Sequence, residues 1–328
     1  MADSPGRISL WMVEVFAAIA EERSISSAAR RLEASPSAVS QQLSNLEAGL
    51  STRLVDRSAR PLTLTPEGHI FLRRARNILD EADLARAELA RRDMANLARF
   101  RLGMIEDFDA DVTPRLLTEM AEDLRACRFL LETGASHRLF TQLDERALDV
   151  IVAADTSVAA DWMEVHPLLA EPFVAALPKG GAEPVVLADL RELPFVQYTQ
   201  RHHMGRQIAA HLSRQNVSLL HRFEMDSYHA ILAMVAQGAG WTILTPLGFL
   251  RAHRFFDDVR ICPLPMEPLS RRISLHARRE VMGRVPAQTA ARLRAILQDM
   301  IVAPSVRQMP WLAGQLKVLD SGPGAAAP

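Results

Sequence analysis

A helix is predicted by the stretch Ser35-Pro36-Ser37-Ala38-Val39-Ser40-Gln41-Gln42-Leu43-Ser44-Asn45-Leu46, which indicates both where the helix starts and which of its faces is buried. Ser35 offers a side-chain oxygen that can cap free helical N–H groups, and Pro36 suits a first helical turn. Apolar residues then recur at steps of four and three, which is the spacing of one buried helix face: Val39, Leu43, Leu46 and Leu50. The other face is polar and uncharged, so this helix is predicted to present neutral hydrogen-bonding groups to its surroundings.

Two helices are predicted upstream of this stretch. The first runs from Leu10 to Ala20, and the second runs from about Ser26 to Ala34. Both repeat apolar residues at helical spacing: Leu10, Val13, Phe16, Ala17 and Ala20 in the first, and Ala28, Ala29 and Leu32 in the second. A short helix joined tightly to a second helix with a polar outer face is typical of a helix-turn-helix.

A β-wing and a long helix are predicted downstream. Between Arg57 and Thr65 leucines alternate with threonines, and Thr65-Pro66-Glu67 then marks a new helix start. That helix is predicted to extend to about Met94, with an apolar seam that alternates steps of four and three: Phe71, Ala75, Ile78, Ala82, Ala85 and Leu89. The seam favours pairing with a second copy of the chain; the alternative is a helix buried in a larger core.

After Asn96 the pattern changes to strands that alternate with helices, which predicts a parallel sheet covered by helices. Two such α/β halves are expected, with a ligand cleft between them. Lobe I is predicted at about 99–165 and 265–303, and lobe II at about 166–264. Residues 304–328, which end in a Gly/Ala/Pro-rich run, are predicted to be a flexible tail.

Charge and composition restrict the classes of protein that fit. The 38 basic and 39 acidic residues give a net charge of −1, so any nucleic-acid surface must be a local patch. Residues 23–76 supply one, since they hold nine arginines and four acidic residues. Apolar runs are too short to span a membrane, and the first residues do not resemble an export signal. A cytoplasmic location is therefore expected.

The same residues resemble the DNA-binding signature of the LysR-type transcriptional regulators. About twenty positions over 10–79 match in register, among them Ser24, Ala28-Ala29, Ser35-Pro36-Ser37, Leu43, Leu46-Glu47, Leu54, Leu64-Thr65 and Gly68. The remainder has the order of that family's effector domain, with Leu148-Asp149-Val150-Ile151 and Val235-Ala-Gln-Gly238 in the expected places. The sequence departs from the family pattern at Arg23 and Ser51, where glycine is common, at Val55, where phenylalanine is usual, and at Gln41, where arginine is frequent.

The resemblance implies a complete architecture. It consists of a winged helix-turn-helix at 1–65, a linker helix for dimerisation at 66–95, a two-lobed α/β effector domain like the periplasmic binding proteins at 96–303, and the tail. The implied function is ligand-responsive, sequence-specific regulation of transcription by a dimer or tetramer on promoter DNA, with RNA polymerase as a further candidate partner. The predicted DNA-contacting residues are Ser35, Pro36, Ser37, Ser40, Gln41, Ser44, Asn45, Arg57 and Arg60.

The candidate effector residues follow the ends of predicted strands. They are Glu106, Asp107, Phe108, Ser136, Tyr198, Thr199, Arg201, His202, Asp226 and Ser227. Acids from one lobe and Arg or His from the other suggest a zwitterion, such as an amino acid or a betaine-like compound, or an amine. Organic anions are the alternative.

Other kinds of function have weaker support in the sequence. No nucleophile elbow or glycine-rich phosphate loop is present, so no catalytic residues, enzyme activity or cofactor are predicted. His202-His203 lacks the spaced cluster of a metal site. Cys127 and Cys262 have apolar neighbours, and buried cysteines are favoured over a redox pair. The alternative function is a small-molecule-binding or enzymatic α/β protein whose N-terminal helices only mediate oligomerisation.

Overall fold

The computed structural model describes residues 8–89, 97–155, 160–180, 184, 186–190, 193–219 and 221–320. They belong to two compact units: the first is the part of the chain up to Asn96 together with Asp144–Ala147, and the second is Leu97–Leu143 and the part from Leu148 onward. The first unit contains the helices α1 (Leu10–Glu22), α2 (Ile25–Arg31), α3 (Pro36–Gly49) and α4 (Pro66–Leu89), and the strands β1 (Val55–Asp56) and β2 (Thr63–Leu64).

Serine caps fix the starts of the first three helices. The hydroxyls of Ser9, Ser24 and Ser35 accept the N–H groups two or three residues into each helix, at 3.2–3.3 Å. Such a cap satisfies a donor that has no acceptor inside the helix. β1 and β2 form an antiparallel pair. The predicted helix-turn-helix and wing are therefore confirmed.

The apolar faces of the helices meet in one core, in which Val15, Phe16, Val39, Leu43 and Leu46 are fully buried. This core includes two of the six residues of the predicted dimer seam. The Phe71 ring lies edge-on to Phe16 at 5.3 Å, and Ala75 is fully buried, so both pack inside their own unit. Ile78 is 41% exposed. The side chains of Ala85 and Leu89 and the predicted helix end near Met94 lie outside the described residues.

Two of the departures from the family pattern fall where the backbone is left-handed. Arg23 follows α1 with φ 50°, and Ser51 follows α3 with φ 52°. Glycine adopts this conformation without a steric penalty, whereas other residues do so at a cost. The turns are therefore kept despite the replacements.

The helices and strands of the second unit are numbered in chain order. Its helices are α5 (Val112–Asp123), α6 (Ser136–Asp144), α7 (His203–Arg214), α8 (Tyr228–Ala236), α9 (Pro246–Arg251), α10 (Val285–Leu297) and α11 (Ala303–Gln308). Its strands are β3 (Arg99–Met104), β4 (Arg128–Thr133), β5 (Val150–Ala154), β6 (Met163–Pro172), β7 (Val174–Pro178), β8 (Phe195–Tyr198), β9 (His221–Met225), β10 (Thr242–Leu244), β11 (Val259–Pro263), β12 (Ser270–Arg278) and β13 (Lys317–Val318).

Lobe I is built on a six-stranded sheet in the order β13-β6-β12-β5-β3-β4. Its β4-β3-β5 part is parallel, as predicted, but β12 pairs antiparallel with both β5 and β6. β5 is buried along its whole length, which is typical of a central strand covered on both faces. The sheet is therefore mixed, because the chain returns to lobe I through β6 and β12.

Lobe II is smaller. Its antiparallel sheet has the order β10-β7-β11, and β8 pairs in parallel with β9. Trp241, which is 1% exposed, joins the two sheets through a bridge to Phe195. The confirmed class is a winged helix-turn-helix followed by a two-lobed α/β domain.

Two predicted boundaries are wrong. β6 continues the lobe I sheet to Pro172, so lobe I extends about seven residues beyond residue 165. Residues 304–320 are also not a loose tail. They contain most of α11 and the strand β13, which pairs with β6, and Leu312 and Leu316 are buried. Residues 321–328 lie outside the described residues.

Candidate functional site

The first unit presents a polar, nearly uncharged surface on α3. Ser35, Pro36, Ser37 and Gln41 are exposed, and Ser40, Ser44 and Asn45 are half-buried. The Gln41 side-chain amide donates to Asn45 Oδ1 at 2.9 Å, and the Ser44 hydroxyl donates to the Ser40 carbonyl at 3.0 Å. The long side chains are thus held along the helix, with donors and acceptors facing outward.

Glu47 joins α3 to the wing, and the sequence prediction missed this role. Its Oε1 accepts the backbone N–H groups of Leu54 and Val55 at 2.9 and 3.3 Å, and its Oε2 contacts Arg57 Nη2 at 3.0 Å. The same Arg57 nitrogen donates to Ser44 Oγ at 3.1 Å. Arg57 is therefore positioned beside α3, whereas Arg60 is exposed on the wing. Glu47 is the single charged residue in α3, which was the available signal.

A cavity of about 50 Å³ lies in the second unit and is partly open to solvent. It is lined by Ile105, Glu106, Asp107, Gly134, Ala135, Ser136, Ala154, Tyr198, His202, His203, Met204, Tyr228 and Arg271. The lining comes from the ends of β3, β5 and β8 and the starts of α6, α7 and α8. Because strand ends and helix starts meet here, polar side chains and free backbone N–H groups converge.

Five of the ten predicted effector residues line this cavity: Glu106, Asp107, Ser136, Tyr198 and His202. Five do not. Phe108 is 1% exposed and belongs to the core, and Thr199 is buried with its hydroxyl donating to Glu224 at 2.6 Å. Arg201 is exposed. Asp226 offers its backbone carbonyl to the Tyr198 hydroxyl at 3.1 Å, and Ser227 is the residue before α8.

The cation of the lining is Arg271 rather than the predicted Arg201. Its guanidinium contacts Glu171 Oε1 at 2.6 Å and Asp107 Oδ2 at 2.9 Å, and all three side chains are at most 6% exposed. Burial raises the pKa of Glu171, and the Arg271 charge opposes that rise. Glu171 is also held by the Leu247 N–H at 3.2 Å. Sequence reasoning missed this triad because its members are brought together by distant strands.

A second arginine connects the loop after β3 to lobe II. Arg251, at the end of α9, contacts Glu106 Oε2 at 3.3 Å and Asp109 Oδ2 at 2.9 Å. Glu106 also lines the cavity. The acidic loop is therefore bound on one side by Arg271 of lobe I and on the other by Arg251 of lobe II.

Histidines contribute neutral groups to the cavity. Burial, followed by the charges of Arg206 and Arg271, lowers the pKa of His203. Its Nε2 is buried and has no hydrogen-bond partner among the residues that the structure describes. His202 lies near His137, whose pKa is also lowered, first by burial. At neutral pH the His203 ring is therefore uncharged.

We expect the thermal midpoint of the chain to fall as the pH drops below about 6.5, the ordinary histidine pKa. The folded state lowers the pKa of His203, so its stabilising effect is present above the ordinary value and is lost as the pH falls through the folded value. His203→Gln should make the fall shallower, measured by differential scanning fluorimetry across a pH series. His253→Gln, at an exposed position, is the control, and equal slopes in all three proteins would contradict this prediction.

The described residues contain no group of three or more His, Cys, Asp or Glu side chains placed to hold a metal ion. Within the same residues no helix combines the length and apolarity that a membrane crossing requires. Neither cysteine lines the cavity. Burial raises the pKa of Cys127, and Cys262 is 3% exposed on β11.

A winged helix-turn-helix followed by a two-lobed α/β domain with a cavity defines a class of protein that binds DNA with the first unit and a small molecule with the second. Residues 10–69 match the family model of bacterial regulatory helix-turn-helix proteins of the lysR family, and residues 96–300 match the LysR substrate binding domain. The chain belongs to the LysR family, and it is a DNA-binding transcriptional regulator with an effector-binding domain.

Similar proteins support this assignment. A probable hydrogen peroxide-inducible genes activator of Mycobacterium xenopi is 37% identical over 183 residues, 55% of this chain and 95% of that protein. A full-length OxyR variant from Pseudomonas aeruginosa has a TM-score of 0.70 at 20% identity, covering 89% of this chain and 95% of that one. Full-length CbnR in complex with its target DNA has a TM-score of 0.56 at 20% identity, covering 87% and 100%. The two structures show the shared fold.

Proposed function

We propose that α3 enters the major groove of promoter DNA and that the wing arginines contact its backbone. The observation that carries this proposal is the outward polar face of α3, flanked by Arg57 and Arg60. Gln41 has the amide geometry that pairs with adenine in two places, and Ser37 and Ser40 are short enough to let the helix approach the bases. Arginine contacts with phosphates fix the position of the protein along the duplex, and they add an affinity for DNA that falls as the salt concentration rises.

The operator is read by a dimer, and the dimer assembles further into a tetramer. Large apolar side chains are exposed on the first unit, at Leu10 and Trp11 on α1 and at Ile70 and Ile78 on α4. Exposed apolar groups of this size favour burial against another copy. Two copies would place two α3 helices on two half-sites, so a partly palindromic operator is expected.

The cavity of the second unit holds the effector. Effector binding changes the operator-bound arrangement only if the ligand binds one assembled state better than another. The loop at 106–109 suits this coupling, because it lines the cavity and is paired with Arg251 of lobe II. The protein acts by binding, without a catalytic step, in the cytoplasm where promoter DNA and RNA polymerase are found.

The input of this regulator is a bound ligand and not oxidation of a thiol, although its mycobacterial relative is named for induction by hydrogen peroxide. The reactive form of cysteine is the thiolate. The raised pKa of Cys127 disfavours that form, and Cys262 is buried on a strand. Because neither lies at the cavity, the chemistry of the cavity side chains determines what is sensed.

Gel-shift titration with the DNA upstream of the protein's own gene tests the DNA-binding proposal. Gln41→Ala is expected to reduce the preference for operator over random DNA by about 1–3 kcal/mol, the usual worth of a bidentate base contact. Arg57→Ala should weaken binding to both DNAs equally. Arg74→Ala removes the same charge from the exposed side of α4 and is the matched control. Equal affinity of the unaltered chain for operator and random DNA at physiological salt would refute the proposal.

A further inference from the structure

Asp107 carries a buried oxygen that no group in the described structure satisfies. Its side chain is 6% exposed and lines the cavity, and its Oδ2 accepts from Arg271 at 2.9 Å. Its Oδ1 is buried and has no hydrogen-bond partner among the described residues. A buried carboxylate oxygen without a donor is costly, so a ligand that brings an N–H group to this point would gain a strong hydrogen bond.

The charges around this oxygen favour a cation. Four acidic residues lie together here, Asp107 with Glu106, Asp109 and Glu171, and they are paired with only two arginines, Arg251 and Arg271. The four carboxylates exceed the two arginines by two negative charges. Of the nearby basic groups, His203 is neutral because its pKa is lowered. Arg206 keeps its positive charge, but it is outside the cavity lining, where its guanidinium donates to the carbonyls of Gln200 and Arg201.

Aromatic rings on the cavity wall strengthen this preference. Tyr198 and Tyr228 both line the cavity, with ring centroids 5.3 Å apart. Their hydroxyls are engaged, by the Asp226 carbonyl and by Met204 Sδ, each at 3.1 Å. Burial raises the pKa of both tyrosines, so they present neutral rings, whose faces attract ammonium groups.

Another part of the lining offers donors. The nine-residue helix α6 begins at Ser136 on the cavity wall, and the first N–H groups of a helix have no acceptor within it. The positive end of the helix dipole favours a negative group at this place. Ser136, which begins the helix, lies in the same cavity as Asp107, so the negative group can be bound there while the positive group is at Asp107.

We propose that the effector is an amino-acid-like zwitterion, whose primary ammonium group donates to Asp107 Oδ1 and whose carboxylate binds at the start of α6. This inference rests on the proposed function in one respect, the assignment of the cavity as the effector site. A betaine is excluded by the same oxygen, since a quaternary nitrogen has no N–H to donate. A simple carboxylate would leave Asp107 unsatisfied and would meet the excess negative charge.

The test is a calorimetric and thermal-shift screen of the full chain with the twenty standard amino acids. For each amino acid that binds, the des-amino carboxylate and the N-trimethyl analogue are titrated under the same conditions. We expect at least one amino acid to bind and to raise the thermal midpoint, and both of its analogues to fail. The proposal is overturned if no amino acid binds, if carboxylates without an amine bind equally well, or if the trimethyl analogue binds as tightly.

Variants locate the contact. Asp107→Asn should weaken amino-acid binding by about 10–100-fold, the usual effect of losing a hydrogen bond to a charged group. Asp111→Asn, at an exposed position outside both the acidic cluster and the cavity lining, should bind like the unaltered chain. If Asp107→Asn does not fold, Glu106→Gln takes its place, because the Glu106 side chain is 55% exposed. Glu106→Gln should weaken amino-acid binding because it reduces the negative charge of the cavity. If the variant that is used, Asp107→Asn or Glu106→Gln, binds the amino acid as tightly as the unaltered chain, the proposal is overturned.

The gel shift separates this inference from the proposed function. Specific operator binding without amino-acid binding would refute the zwitterion and leave the regulator intact. Amino-acid binding without specific operator binding would refute the DNA-binding proposal and leave the ligand assignment standing.

Discussion

Replacing Arg271 with methionine is expected to destabilise the second unit by about 3–5 kcal/mol, the usual cost of breaking a buried ion pair by removing one partner. The guanidinium is the shared partner of Glu171 and Asp107, which are 0% and 6% exposed. Without it, both buried carboxylates would lose their cationic partner. Chemical denaturation followed by circular dichroism measures the loss.

Two further variants decide whether charge is the cause. Arg272→Met, at the exposed neighbouring position, should change stability little. Combining Arg271→Met with Glu171→Gln and Asp107→Asn should recover much of the lost stability, because replacing a whole buried ionic group by neutral residues is often tolerated. If the triple variant is no more stable than Arg271→Met alone, packing rather than electrostatics determines the effect.

Replacing Gly68 with alanine is expected to lower the stability of the first unit by about 3 kcal/mol, as a severe overpacking change does, and to abolish specific DNA binding. A Cβ at this position would lie 2.0 Å from the Leu54 carbonyl oxygen and 3.2 Å from Leu64 Cβ. The carbonyl cannot simply move away, because it accepts the Thr65 N–H at 3.0 Å. The helix α4 would therefore be pushed from the wing.

Thermal unfolding and gel-shift titration together measure this effect. His69→Ala, at the next and exposed position of the same helix, is the control and should behave like the unaltered chain. Amino-acid binding by Gly68→Ala should persist, because the cavity belongs to the other unit. Normal operator binding by Gly68→Ala would contradict this prediction, because it would show that DNA binding does not depend on the contact between the wing and α4.

The sequence predicted the first unit well because its signals are local. A cap, a proline and an apolar repeat are all found within a dozen residues of Ser35, and the same is true of Thr65 and the start of α4. The error at Phe71 and Ala75 has a related origin. An apolar face at helical spacing can pack equally well against a second copy of the chain or against α1 of the same unit. In the structure Phe71 and Ala75 pack in the core that contains α1.

The second unit was predicted less completely because its order depends on distant pairing. β6 and β12 are neighbours although about a hundred residues separate Glu171 from Arg271, and nothing in either segment indicates the other. Asp107 was within reach of sequence reasoning because it directly follows a strand, whereas Arg271 lies inside one. Arg201 was predicted because it follows a strand, and that criterion could not find Arg271.

The contact of Glu47 with both the wing backbone and Arg57 has a thermodynamic consequence. A flexible wing would lose conformational entropy on each encounter with a duplex, and affinity would be reduced by that loss. In this chain the wing is ordered once, when the first unit folds, because Glu47 holds it against α3. If α3 and the wing contact DNA as proposed, that loss of entropy does not recur on binding, and Glu47→Ala should reduce affinity although Glu47 itself touches no DNA.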